Sequence, residues 1–493
     1  MRASTLHQDL GRSAAERTPL RCEDLAAVLV HAAGRRCVAT PLLLGMTLVV
    51  GCGLVTTESP TPVASVTVAV ALPTATVFTG GTVQLTATTR DASGTVLTGR
   101  VVTWATNAPA VATVSPEGVV RGVGPGTATI TATSEAKSGT ASITVRSLVL
   151  ARISAGEQFT CGVTVGGDGA CWGIGGGPLH AASTPELVPG GLRFTAVSLS
   201  PGGEGSLGGP GGENQTCWVT AAGGAYCWGG TPPTPPRAVP GGLTFSLVSA
   251  SGSHACGVTA VGAAYCWGYN RWGVLGDGTT TDRLTPTLVV GGLSFATIST
   301  ARFQTCGITT AGAAYCWGWN VSGRLGIGID DQNEYLSPVP VAGGVTFATV
   351  SAGGGMTCAV ALSGAAYCWG ANGNHELGDG TPTDRLTPTL VVGGLSFAAV
   401  STGANHACGI TAAGVAYCWG WNEGGQLGDG TRTKWSNPVL VTGGRLFTAV
   451  SAGFNHSCGV TSDGAAYCWG RNEYGQLGDG TTEDRLSPTR VVQ

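Results

Sequence analysis

Fourteen of the chain's 17 cysteines fall in pairs ten residues apart. The pairs are Cys161 with Cys171, Cys217 with Cys227, Cys256 with Cys266, Cys306 with Cys316, Cys358 with Cys368, Cys408 with Cys418, and Cys458 with Cys468. Thiols at such a spacing can oxidise to a disulfide, stay reduced in a core, or hold a metal. Each pair flanks a short turn, so its two members stand opposite each other on an antiparallel hairpin, with Cα atoms ~4.5–5.5 Å apart. That is within disulfide reach. Zinc is the weakest reading, because each hairpin offers two thiols separated by nine residues and no Cys-x-x-Cys set. Disulfides are the expectation, with reduced core cysteines as the alternative.

The carboxylates and histidines invite further chemistry. Asp277, Asp379, Asp429 and Asp479 stand in Leu-Gly-Asp-Gly-Thr segments, and Asp282, Asp384 and Asp484 follow three of them five residues on. An Asp beside Gly is a common turn device, and the spacing departs from the alternating acids of a calcium loop. A turn is expected and calcium is the alternative; no other metal or cofactor is expected. The position two before the first cysteine of each pair holds Phe159, Gln215, His254, Gln304, Met356, His406 and His456. A ligand or catalytic column would not tolerate Phe and Met, so these histidines are expected to be structural donors. His180 and His375 lie outside that column with no acid–base partner, and no Ser-His-Asp set is present.

Internal repetition supplies the elements that position these residues. A Cys-Trp-Gly triplet begins at each second cysteine; five of the six spacings between triplets lie between 50 and 56 residues, and one is 39. Each unit carries four short β-rich pieces, as at 447–451, 457–461, 465–469 and 489–492. The fold expected is therefore all-β, a seven-bladed β-propeller over 148–493. The triplet tryptophans should pack between blades, and the strand at 489–492 should close the ring against the first repeats. The 82 glycines, without a Gly-X-Y period, fit this reading and exclude collagen. Only 11 % of residues are charged, Lys137 and Lys434 are the only lysines, and the net charge is −3, so no nucleic-acid partner is expected.

Strand direction alternates, so the first-to-second and third-to-fourth connections share one face. The other face carries short, nearly identical turns. The variable face holds Tyr269, Arg271, Trp272, Trp319, His375, Trp421, Glu423, Arg471, Glu473 and Tyr474 after the Trp-Gly pairs, joined by Phe303, Tyr335, Trp435 and Phe454. Trp, Tyr and Arg are the residue types enriched in binding hot spots, so these are the ligand-binding candidates; the alternative is that the aromatics cover their own loops. Repeats one and two replace the Leu-Gly-Asp-Gly segment with 200–212 and 232–236 and should look different.

The consensus resembles the regulator of chromosome condensation repeat, on Asn455-His456-Ser457-Cys458-Gly459-Val460-Thr461 and on the run from Tyr467-Cys468-Trp469-Gly470 to Leu477-Gly478-Asp479-Gly480-Thr481. The resemblance covers 148–493. It implies the propeller, and through secreted bacterial relatives that bind and inhibit β-lactamases it implies a protein target. Upstream, 63–146 alternates β-branched residues at period two between turns. Its Gly81-Thr82-Val83-Gln84-Leu85-Thr86-Ala87, Val102-Thr103-Trp104 and Gly126-Thr127-Ala128-Thr129-Ile130-Thr131-Ala132 resemble the bacterial immunoglobulin-like domains of surface adhesins. This implies a β-sandwich serving as a stalk, with Trp104 in its core. In the leader, 1–52, Arg35-Arg36 precede an apolar run at 38–50 that suits a signal-peptide core. The run ends in Val49-Val50-Gly51-Cys52, which resembles a lipobox and implies lipidation of Cys52, with 53–62 as a tether.

The expected function is a bacterial cell-surface or secreted binding protein, anchored to a membrane by lipid and presenting the variable loops to an extracellular protein or glycan. It is expected to be a monomer and not an enzyme. The runner-up is a propeller lyase or hydrolase, followed by guanine nucleotide exchange.

Overall fold

The computed structural model describes residues 60–70, 75–174, 182–199, 216–228 and 236–492. The leader, Cys52, most of the 53–62 tether, His180, 200–212 and 232–235 lie outside the described residues, as does the Trp228 side chain.

Two sheets build residues 63–146. One holds Ser65–Val70, Thr82–Arg90, Val119–Gly122 and Ala112–Val114, with Val96–Leu97 paired to Thr82–Arg90. The other orders Thr76–Phe78, Lys137–Arg146, Gly126–Ser134 and Thr103–Thr106. The period-two pattern does its expected work: Ala128 and Ile130 point inward to Val83, Leu85, Val120 and Ile143, and Ala132 to Val63 and Val66, while the threonines between them are less buried. Trp104 is half-buried against this core. Gly118 packs beneath its ring, where a Cβ would come within 2.9 Å of the indole.

Four-stranded antiparallel sheets follow, one per repeat. The fourth repeat shows the pattern, with Phe295–Thr300, Gln304–Thr309, Ala314–Trp319 and Glu334–Pro340 hydrogen-bonded in chain order. Among the described residues six more such sheets span 150–187, 194–238, 247–288, 347–390, 397–440 and 447–490. Second strands are buried along almost their whole length, because neighbouring sheets cover both of their faces. That burial explains much of the glycine: at Gly307 a Cβ would lie 2.6 Å from the Phe295 ring.

The hairpin register answers the question posed by the cysteines. Cys161 stands directly opposite Cys171, Cys217 opposite Cys227, Cys256 opposite Cys266 and Cys306 opposite Cys316. Cys358 faces Cys368, Cys408 faces Cys418 and Cys458 faces Cys468 in the same way. All seven pairs lie at disulfide distance, as expected. Their Cα atoms are 4.0–4.2 Å apart, slightly closer than the hairpin geometry predicts.

The triplet tryptophans 172, 267, 317, 369, 419 and 469 are buried against the preceding repeat. Trp317 Nε1 donates to the Val274 carbonyl at 2.9 Å, and Trp369, Trp419 and Trp469 do the same to Arg324, Glu376 and Gln426.

A serine in each first strand ties that strand to the next. The Leu199 amide donates to Ser154 Oγ, Ala250 to Ser198, Thr300 to Ser249, Ala352 to Ser299, Thr402 to Ser351, Ala452 to Ser401 and Ala155 to Ser451, all at 2.9–3.0 Å. The series returns to its starting repeat. The C-terminal strand is placed differently from the sequence expectation. It begins at Arg485, runs to Arg490, and pairs inside its own sheet with Ala466–Gly470. Each repeat supplies all four of its own strands, so none is left to exchange. The seventh sheet meets the first through other groups: His456 Nε2 and Thr160 Oγ1 at 2.8 Å, and the Leu150, Phe454 and Gly480 amides on the Gly464, Gly156 and Ser183 carbonyls.

Phe78 of the sandwich is 2 % exposed and joins Leu148, Leu150, Trp172, Leu477 and Val491 in one core cluster. Arg146 pairs with Asp168 at the same junction. The domain expected as a stalk is thus packed on the seam between the seventh and first sheets. Phe78→Ala is expected to cost about 3–5 kcal/mol, read as a lower thermal unfolding midpoint of the whole chain. An unchanged midpoint would mean that this contact contributes nothing.

Candidate functional site

The loops that follow the third strands of repeats three to seven hang on a buried asparagine: Asn270, Asn320, Asn372, Asn422 or Asn472. Asn270 Oδ1 accepts from the Leu275 amide, and its Nδ2 donates to Asp277 Oδ1 and to the carbonyls of Thr279 and Thr281. Asp277 also accepts from the Thr279 amide and hydroxyl and, at 2.7 Å, from Arg283 Nε. Burial alone would raise its pKa, but the Thr279 and Arg283 hydrogen bonds hold it below the usual carboxylate range. Asp379 and Asp479 repeat the arrangement with Arg385 and Arg485. Asp282, Asp384 and Asp484 accept the backbone amides of Asn270, Asn372 and Asn472. Each carboxylate that invited calcium is therefore already engaged by donors, a guanidinium among them at three of the four loops.

Two ligand candidates have the same structural task. Strand register places Tyr335 and Trp435 where Arg283, Arg385 and Arg485 stand. Tyr335 OH donates to Asp331 Oδ2 at 2.7 Å, and Trp435 Nε1 to Asp429 Oδ2 at 2.9 Å. They replace the arginine as loop fasteners rather than standing free.

Five of the other candidates come together. Trp272 and Trp319 stack at 14° with centroids 6.1 Å apart. Phe303 meets both edge-on, at 4.8 and 5.5 Å, and Tyr269 meets Trp272 at 5.7 Å. Arg271 lies 5.6 Å over Trp272. The cluster draws on the third-to-fourth loop of repeat three, the end of the third strand of repeat four and the first-to-second turn of repeat four, so these three places share a face. Tyr269, Trp272, Phe303 and Trp319 are half-buried and Arg271 is exposed.

Two members were not singled out from the sequence. Arg302 lies 4.9 Å over Phe303, and Arg324 lies over both Phe303 (5.4 Å) and Trp319 (5.7 Å). The readable signal was departure from the repeat: Arg324 stands where other repeats have Val274, Glu376, Gln426 and Gln476, and Arg302 where they have Gly252, Gly354, Ala404 and Phe454. Burial lowers the Arg324 pKa to about 10, and the charge of Asp330 opposes that shift.

The remaining candidates are dispersed. His375 sits at φ +67° with Nδ1 3.3 Å from the Thr381 carbonyl of its own loop. Lys434 covers the Trp421 ring at 3.4 Å. Exposed Glu423 accepts from Arg432 through its carbonyl, and Arg471 pairs with Glu473 at 3.3 Å. Tyr474 and Phe454 are half-buried, with their amides on Gln476 Oε1 and the Gly156 carbonyl. His254, His406 and His456 are fully buried, each with Nε2 on a hydroxyl of the next repeat (Thr305, Ser457 and Thr160), and burial pushes all three down to about 3.

Residues 62–145 match the bacterial Ig-like domain, group 2. Among solved structures, human WBSCR16 is similar at 18 % identity and TM-score 0.55, over 63 % of this chain and 85 % of that one. Prp20p from Saccharomyces cerevisiae, described with its binding to Gsp1p and histones, is similar at 18 % identity and TM-score 0.55, over 63 % and 83 %. Yeast RCC1 (Prp20) bound to Kap60 is similar at 17 % and 0.56, over 70 % and 85 %. At these identities the likeness speaks for the fold. No curated protein matches the chain significantly. Residues 231–493, more than half of the chain, match the RCC1-like domain, and the chain belongs to that family.

Proposed function

We propose that this chain is an exported binding protein, not an enzyme, whose repeats form a closed seven-bladed propeller and whose loop face engages an extracellular protein. The observation that carries the reading is the cluster of Tyr269, Trp272, Phe303 and Trp319 with three arginines on one face. Large, stiff aromatic side chains beside arginine are the residues that anchor protein interfaces. The unbroken cycle of serine–amide bonds supports closure. Cysteine pairs at bonding distance in every repeat support an oxidising compartment, and the lipobox-like segment supports a lipid anchor on Cys52. The packed sandwich then makes a rigid base rather than a hinged stalk.

The test is capture from culture medium and envelope on the immobilised chain, with partners identified by mass spectrometry. Trp272→Ala/Trp319→Ala should lose the partner by about 30-fold or more, the scale of a single hot spot. Trp421→Ala/Tyr474→Ala should retain it. Equal capture by both variants, loss in the second alone, or no partner at all would overturn the reading.

A further inference from the structure

We propose that the platform of repeats three and four recognises an aspartate or glutamate side chain flanked by apolar residues on the partner protein, and that the Arg324 guanidinium receives its carboxylate. This rests on the reading of that face as a protein-binding surface.

Arg324 is only 7 % exposed, so nine-tenths of it is out of water. Its Nε donates to the Val321 carbonyl at 2.9 Å, while its buried Nη1 has no hydrogen-bond partner. A buried charged donor left unpaired is costly, and such groups are normally found with a partner. The charge of Asp330 acts on it through space, and Asp330 Oδ1 accepts the Ser322 amide. A carboxylate brought by a ligand would complete the guanidinium in a dry setting, where a charge-assisted bond is strongest.

The surroundings select the ligand's sign and shape. Guanidinium groups already lie over the faces of Trp272, Phe303 and Trp319, so the rings cannot also serve as a cage for a cationic ligand. Nor can a flat group slip between Trp272 and Trp319: their centroids are 6.1 Å apart, whereas an inserted ring needs about 7 Å, two contact distances. The ligand must lie across the aromatic edges. Arg271, Arg302 and Arg324 are the charged groups that lie over these rings, while Asp282 is engaged by the Asn270 amide and Asp331 by Asn320 and Tyr335. An unpaired guanidinium nitrogen inside an apolar rim suits a carboxylate with apolar neighbours.

The probe is an array of synthetic peptides in which every apolar-flanked Asp or Glu sequence is printed beside its Asn or Gln counterpart and a phosphoserine counterpart, read with the labelled full-length chain. Acidic peptides should exceed their amide counterparts by about 10-fold or more. Arg324→Gln should remove that preference, and Trp421→Ala should leave it. The fold accommodates glutamine here, since Gln426 and Gln476 occupy the same place in later repeats. Arg324→Gln should also unfold at a temperature no lower than the native chain, because it removes an unpaired buried charge. Equal signals for acid and amide, no signal at all, a preference for phosphoserine, or an acid preference that survives Arg324→Gln would each overturn the proposal. Should a partner still be captured in those cases, the binding reading stands and only the carboxylate assignment falls.

Discussion

Reducing the seven cysteine pairs is expected to unfold the repeat region at neutral pH. Each bond closes a loop of ten residues, for which the chain-entropy model gives about 2.8 kcal/mol as an upper figure. Seven such terms sum to roughly 20 kcal/mol, and even half of that rivals the ~5–15 kcal/mol by which ordinary domains are stable. Apart from half-buried Cys227, the paired cysteines are buried between sheets, so a reductant reaches them only when a sheet opens. The native chain in dithiothreitol should therefore lose its near-ultraviolet circular dichroism slowly, whereas a chain reduced in denaturant should fail to regain it when the denaturant is diluted. Full refolding under reducing conditions, with free thiols counted by mass after quenching, would show that packing alone holds the sheets.

Stability is also expected to fall steeply below about pH 6.5, and the buried histidines set that window. His254, His406 and His456 are held near 3 by burial, against 6.5 in an unfolded chain. Their folded form is neutral, so the unfolded chain alone takes up protons between those values. Stability is then fully present above pH 6.5 and drops by up to about 1.4 kcal/mol per pH unit for each histidine on the way to pH 3. Glu376 acts oppositely: burial raises it to about 7, so its contribution is present below its unfolded value of 4.5 and is lost as pH rises through 7. From pH 4.5 to 6.5 three histidines oppose one glutamate, and the net slope favours higher pH. His406→Gln/His456→Gln should flatten the slope of unfolding midpoint against pH. Gln304 fills the equivalent place in the fourth repeat, where its Nε2 reaches the Met356 carbonyl at 3.2 Å. An unchanged slope in the double variant would assign the acid sensitivity to other groups.

Periodic features were readable in the chain because they recur: the Cys-Trp-Gly triplets, the hairpin cysteines, the loop asparagines and the alternating threonines of the sandwich. Tyr269, Arg271, Trp272, Phe303 and Trp319 were readable as variable residues between constant ones. The loop-fastening task of Tyr335 and Trp435 is not readable in the same way. Their task appears only once strand register sets them opposite Gly318 and Gly420, where a tyrosine or tryptophan donor can replace arginine on the loop carboxylate. Arg324 and Arg302 went unnoticed because they sit in short connections whose other members are small or uncharged, apart from Glu376. The serine cycle was hidden for the opposite reason, since a residue constant in every repeat reads as mere consensus until its acceptor in the next repeat is known. Phe78 lies in a strand of the sandwich, and only packing reveals that its ring belongs to the core of the sheets beyond.

Hydroxyl-radical footprinting of the chain bound to its captured partner tests the central claim most directly. Aromatic side chains are read one by one, and the four-ring cluster lies apart from the rings of later repeats. Oxidation of Trp272, Phe303 and Trp319 is expected to fall several-fold in the complex while that of Trp421, Trp435 and Tyr474 is unaffected. Protection of the latter three, with the cluster still oxidised as in the free chain, would contradict it.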